Sequence, residues 1–150
     1  MIEGSLDLGI MYTPQSRPGL AIEMLFEEEL VLVSSERSPT KRPGKGYIYV
    51  DWGPEFQADH SLNYPDLSTP GVYMELGSLG LKYLLTNEGS GYFPKRLVEP
   101  YLVSKQLRLV KSAPTFSYPA YAVHPLDGEQ VVLEPALDEL RNLVQSFSGI

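Results

Sequence analysis

Two serine-bearing glycine turns, Gly77-Ser78-Leu79-Gly80 and Gly89-Ser90-Gly91, put a hydroxyl between permissive backbone positions. Neither has the G-x-S-x-G spacing that raises a nucleophilic serine on a strained strand-to-helix turn. Gly89-Ser90-Gly91 could open a dinucleotide fingerprint, but Pro94 stands where the third glycine belongs, and no Walker lysine is present. Asp59-His60 sets an acid beside a base. Adjacent helical residues do not face each other, so a surface or helix-packing role is expected. His124, just before Pro125, reads as a satisfied residue where the chain crosses between lobes, and neither histidine sits in a metal or triad pattern. Glu27, Glu28 and Glu29 have no histidine or fourth oxygen ligand near in sequence, so a solvated turn is expected there. The absence of cysteine excludes disulfides, thiolate nucleophiles and zinc–sulfur sites. Catalysis is not expected, and no cofactor or metal is called for.

What these residue types can do is bind. The stretch Gly71 to Val98 reads as strand, helix, glycine turn, short strand and second helix. Val72 and Met74 suit a short strand. Ser78 is placed to cap a helix over Leu79 to Thr86, because its hydroxyl can accept from first-turn amides that lack partners. Leu81, Leu84 and Leu85 then share one face. Gly89 and Gly91 permit φ values a Cβ would forbid, and Pro94 suits the start of the next helix. A helix N-terminus and a glycine turn side by side, both rich in free N–H groups, would seat a small anionic or polar ligand. The plainer reading is that such a unit only builds a sheet.

The elements that must position this stretch fit within 150 residues, enough for one domain or two small lobes. Folding at that length buries roughly 68–70% of the unfolded surface, so a core forms without staples. No apolar run reaches the length of a membrane helix, and MIEGSLD lacks the basic start of a signal peptide. A cytoplasmic location is the simplest expectation. With 12 basic against 19 acidic residues the formal charge is −7, so this chain alone is a poor ligand for nucleic-acid phosphates. Lys41, Arg42 and Lys45 form a small basic cluster in a Pro/Gly-rich loop.

In order, Leu6 to Ile10 suggests a strand of the parallel, doubly buried type, followed by a polar loop with Tyr12 and Thr13 at the strand's carboxyl end. Leu20 to Phe26 and Glu29 to Ser34 suggest two strands on either side of the glutamates. Tyr47 to Asp51 suggests another, and a helix over Glu55 to His60 begins behind Asp51-Trp52-Gly53-Pro54. Trp52, the only tryptophan, is a candidate for ligand stacking and also for core or lobe-interface packing. Glu99-Pro100-Tyr101 is expected to close a helix. Gln106 to Val110 and Ala120 to His124 suggest strands, and Pro135 to Phe147 a final helix with Leu137, Leu140, Val144 and Phe147 on its buried stripe. Crossing loops at Ser34 to Lys45 and Lys111 to Pro119 suggest two lobes joined by a hinge.

Several passages, taken together, resemble the effector-binding domain of LysR-type transcriptional regulators. They are LDLGIMYTPQSRPGLAIEMLFEEELVLVSS, GYIYVDWGPEFQADH, LGLKYLLTNEGSGYFPKRLVEPYL, QLRLV, APTFSYPAYAVH and the amphipathic C-terminal helix. The resemblance implies an α/β, bilobed fold like type 2 periplasmic binding proteins. It divides the chain into residues 1–34 plus 118–150 as a partial first subdomain and residues 35–117 as the second. It implies a small-molecule effector bound between the lobes, touching Tyr12, Thr13, Ser34, Asp51, Trp52 and the turn Gly89, Ser90, Gly91, Tyr92 and Phe93. The family opens with a winged helix-turn-helix, a linker helix and the first strands of subdomain I; no counterpart of these is expected in this chain. DNA contact would then come only through such a missing N-terminal domain, and a homo-oligomer is expected through Leu6 to Ile10 or the C-terminal helix. The resemblance implies an effector-sensing and oligomerisation domain. The other readings are a stand-alone solute-binding module and an inert dimerising remnant.

Overall fold

The computed structural model describes residues 8–12, 17–37, 43, 46–67, 71–126 and 130–148. In chain order these form β1 (Gly9–Met11), β2 (Leu20–Ser34), β3 (Ile48–Val50), α1 (Pro54–Asn63), β4 (Val72–Met74), α2 (Gly77–Thr86), β5 (Ser90–Pro94), α3 (Lys95–Val103), β6 (Arg108–Leu109), β7 (Phe116–Pro125) and α4 (Gln130–Ser148). The chain divides into two compact units, Met1–Glu27 with Pro119–Ile150, and Glu28–Tyr118. β2 and β7 are hydrogen-bonded neighbours, and each contributes residues to both units.

The second unit is organised by the last five residues of β2. Leu30 to Ser34 pair antiparallel with β5, from Leu30↔Pro94 to Ser34↔Ser90, and Val33 and Ser34 also pair with β6. All five are buried. Because strand side chains alternate between faces, Val31 and Val33 enter one core and Leu30 and Leu32 another. The first core is mostly aliphatic: Ile48, Val50, Leu81, Leu84, Phe93, Val98 and Leu107 join the two valines. The second is aromatic: Tyr47, Phe56, Tyr64, Tyr92 and Phe116 surround the two leucines. β3 and β4 form a separate parallel pair in the register Ile48↔Val72 to Val50↔Met74.

In the first unit β1 runs antiparallel to β7, with Gly9 opposite Val123 and Met11 opposite Tyr121. This corrects the expectation of a doubly buried parallel strand, since Ile10 is half exposed. A hydrophobic run marks burial but carries no information on strand direction, and residues 1–7 lie outside the described ones. Ala122, Leu133 and Leu137 make this unit's small core, with Leu8 and Leu25 against it. Arg141 on α4 grips both carboxylate oxygens of Glu23 on β2, at 2.8 and 2.6 Å, and also pairs with Asp138 at 3.0 Å.

Several boundaries differ from the sequence reading; β7, for one, begins at Phe116, inside the expected crossing loop, and not at Ala120. The glutamates do not break β2: alternation exposes Glu27 and Glu29 while Glu28 turns to the other side and pairs with Arg96 on α3. Proline does not end α3 or begin α4. Pro100 and Pro135 both lie inside helices, each at an exposed position that costs one backbone hydrogen bond. Ser78 does not cap α2; the helix starts two residues earlier than Leu79, at Gly77, behind Leu76, with no side-chain cap. Leu81 and Leu84 are buried as their spacing requires and Leu137 is buried in α4, whereas the side chain of Phe147 lies outside the described ones.

Candidate functional site

The carboxyl ends of β3 and β4 each lead within a few residues into a helix, α1 and α2, and neither helix has a side-chain cap. Gly53, the residue before α1, takes φ 108°, which favours glycine, and its N–H is held by the Asp51 carboxylate at 2.9 Å. The same carboxylate accepts from the Gln57 amide and from the Tyr73 hydroxyl, both at 2.9 Å. Burial alone would raise the Asp51 pKa, but the Gly53 N–H, Gln57 and Tyr73 together bring it below the ordinary carboxylate value. The Asp51 N–H donates to the Met74 carbonyl at 2.9 Å, tying the two strand ends together.

Trp52 lies directly over the start of α2. A Cβ built on Gly77 would stand 2.4 Å from the indole Cη2, so only glycine lets this helix begin so close to the ring. The indole N–H donates to the Tyr92 carbonyl at 2.9 Å, and the ring meets Phe93 and Tyr118 edge-on. Asp51, Trp52, Tyr73 and the first turns of two helices therefore sit side by side. In open α/β units the carboxyl ends of parallel strands are where ligands bind, and first-turn amides favour polar or anionic groups.

The turn at Gly89 is different from what the sequence suggested. Its amides are not free. The Gly89 N–H donates to the Ser35 hydroxyl at 3.0 Å and the Ser90 N–H to the Gly46 carbonyl at 3.1 Å. The Ser35 hydroxyl donates to the Asn87 carbonyl at 2.8 Å, and the buried Ser34 hydroxyl donates to the Gly89 carbonyl at 3.1 Å and accepts from the Glu36 N–H. Among the described glycines the positive φ values belong to Gly19 and Gly53, not to Gly89 or Gly91. Close approach is what requires glycine here. A Cβ on Gly89 would lie 2.2 Å from the Gly46 carbonyl oxygen, and one on Gly91 would lie 3.0 Å from Ile48 and Phe93.

Of the residues expected at a ligand, the structure thus brings Asp51 and Trp52 together at the strand ends. It places Ser34, Gly89, Ser90 and Gly91 in a closed backbone joint of the same unit. The side chains of Tyr92 and Phe93 are fully buried in the two cores. Tyr12 is exposed and belongs to the first unit, and Thr13 lies outside the described residues.

Sequence reasoning missed the group around His60. This ring is buried, with Nε2 2.9 Å from the Tyr47 hydroxyl. Tyr49, Tyr64, Phe56 and Tyr92 close around it, at centroid distances from 4.9 to 6.2 Å. The Tyr64 and Tyr92 hydroxyls are 2.6 Å apart, and Tyr92 donates to the Pro114 carbonyl. Burial holds His60 below its ordinary value and lifts Tyr47 and Tyr92, while burial and the neighbouring Asp51 push Tyr49 up to about 12. The spacing of Phe56, His60 and Tyr64 along one helical face was the available signal. Among the described residues no cluster of metal-ligating side chains occurs, and no helix is long and apolar enough to cross a membrane.

No protein-family model and no curated protein matches the sequence. Solved structures do. The regulatory domain of HypT from Salmonella typhimurium, in its apo form, superposes on 97% of this chain and 76% of its own length, with TM-score 0.76 and 15% identity. The full-length structure of HypT, described as a hypochlorite-specific LysR-type transcriptional regulator, is 14% identical at the same TM-score, with 97% of this chain and 54% of that one covered. The regulatory domain of the LysR-type regulator CrgA from Neisseria meningitidis is 18% identical with TM-score 0.70, covering 96% of this chain and 78% of that domain. The chain has the α/β, two-lobed, periplasmic-binding-protein-like fold of LysR regulatory domains. It spans about three quarters of those domains and about half of the full-length regulator.

Proposed function

We propose that this chain is the effector-sensing part of a LysR-type transcriptional regulator, a binding and signalling module and not an enzyme. The carrying observation is the likeness of nearly the whole chain, 97% of it, to the HypT regulatory domain at TM-score 0.76. The proposed effector is a small polar or anionic molecule met by Trp52 and by the uncapped first turns at Gly53 and Gly77, with Asp51 holding the α1 turn in shape. A second HypT regulatory-domain structure is bromide-bound, which supports an anion as the class to try first. Tyr12 and Thr13, and the units as the two effector-binding subdomains, belong to the same proposal.

Signalling would be a shift of population: a ligand with higher affinity for one arrangement of the domain favours it, and DNA-binding heads elsewhere in such a regulator respond. DNA contact is assigned to that other part, because this chain carries a formal charge of −7. Self-association is part of the proposal, and light scattering at high concentration reads it directly.

Titration with halides and small carboxylates, followed by Trp52 emission and thermal shift, tests the site. Saturable quenching in the unaltered chain, weakened in Asp51→Asn, is expected. A panel that leaves both emission and melting unchanged removes this site from consideration.

A further inference from the structure

Helix α1 rests on the sheet through Phe56, His60 and, just past its end, Tyr64. His60 is the middle contact and the one that can gain a charge. Each element packed against it offers an aromatic ring: Tyr47 and Tyr49 from the β3 segment, Tyr64 from the end of α1, Tyr92 from β5. Phe56 precedes it by one turn on α1 itself. The acids of the same region point elsewhere. Asp51 is engaged with Gly53, Gln57 and Tyr73, and Glu55 and Asp59 lie on the exposed side of α1. Among the described residues no carboxylate is ion-paired with His60.

An imidazole so placed is held neutral. Tyrosine hydroxyls can serve as acceptors to an imidazolium, but none supplies a counter-charge, and a buried charge without one is costly. We propose that His60 makes α1 an acid-releasable helix: protonating its ring loosens α1 from β3 and β5 before the rest of the chain unfolds. The consequence reaches the strand ends, because α1 begins at Pro54, one residue beyond Gly53 and two beyond Trp52. Acidification would therefore disorder the Asp51–Gly53 turn, whatever that turn binds. The other histidine, His124, lies in the first unit, with Nδ1 3.0 Å from the Pro125 carbonyl.

The test is a reversible titration of the intact chain from pH 8 to pH 4, read by Trp52 emission and far-UV circular dichroism, with imidazole resonances followed by NMR. The expected result is an emission change with a midpoint below 6.5 and a loss of helix signal comparable to one ten-residue helix. The His60 resonance should titrate with the same midpoint. His60→Phe, which keeps an apolar ring in the site, should remove the transition while α4 stays helical to lower pH. If His60→Phe does not fold, the NMR titration of the unaltered chain decides. A His60 ring that titrates at or above 6.5 in the folded chain overturns the proposal. So does a transition that persists in His60→Phe, or a single cooperative loss of all helix signal.

Discussion

The two cores of the second unit lie on opposite faces of the same pair of strands, yet they are held together differently. On one side Val31, Val33 and Phe93 meet aliphatic residues from α2, α3 and β3. On the other Leu30, Leu32 and Tyr92 meet Tyr47, Phe56, Tyr64 and Phe116, with His60 among them. The aliphatic side carries no titratable group among its fully buried members, so dispersion and removal of apolar surface hold it in a way that pH does not touch. The aromatic side buries hydroxyls and an imidazole, and it remains stable because each finds a partner: among the described residues no buried side-chain nitrogen or oxygen is left without one. The lesson is that two faces of one β-strand, alternating residue by residue, can give one unit a pH-indifferent half and a pH-sensitive half.

The sharpest way to break the comparison is Leu84→Ala. Leu84 is wholly buried on the aliphatic side, and its truncation should cost about 3 kcal/mol in denaturant unfolding, by the same amount at pH 7 and pH 5. A cost that varies with pH would mean the two halves are not separable. Gly89→Ala comes next. Its added methyl would press on the Gly46 carbonyl on one side and lie 3.5 Å from Leu84 on the other, so about 2–3 kcal/mol should be lost, as for other overpacked sites. A neutral outcome would show that the Gly46–Gly89 joint yields easily.

Tyr92→Phe tests the aromatic half. It removes the hydrogen bonds that the Tyr92 hydroxyl makes with the Tyr64 hydroxyl and the Pro114 carbonyl, for an expected loss of about 1–2 kcal/mol, and an unchanged melting temperature would show that the hydroxyl network contributes nothing net. The acid dependence of this half has a definite sign. His60 is held below its ordinary value of 6.5 when folded, so the unfolded chain binds the proton first. The stability due to the neutral ring is fully present above 6.5 and is lost as pH falls from there toward the folded-state value. The smallest expected effect is a gain. Lys105 follows α3 with φ 66°, a conformation that glycine takes without penalty, so Lys105→Gly should stabilise by about 1 kcal/mol at any pH. No gain in melting temperature would mean that the lysine side chain compensates through contacts of its own.

Much of this architecture was legible in the residues. The β3 run, the leucine face of α2, the helix start behind Pro54 and the α/β class all followed from periodicity and from proline and glycine placement. The order of many weak passages pointed to LysR regulatory domains, and the fold agrees with them. The candidate site was half legible: Asp51 and Trp52 stand at a strand's carboxyl end by simple chain order. Gly89 and Gly91 were noticed for the wrong reason, because a glycine required by a neighbouring backbone looks the same in sequence as one required by its own φ.

What the sequence determined by itself is what depends on near neighbours: which runs extend, which coil, and which side of each coil is apolar. Tertiary structure alone decided the rest, since each remaining fact is a meeting of residues far apart in the chain. Gly46 lies against Gly89, Tyr47 reaches His60, Trp52 covers Gly77, and Glu28 finds Arg96. No local propensity encodes such pairs. They exist because burying one apolar surface fixes where the others must go, and each buried polar group then takes the partner that packing has brought within reach.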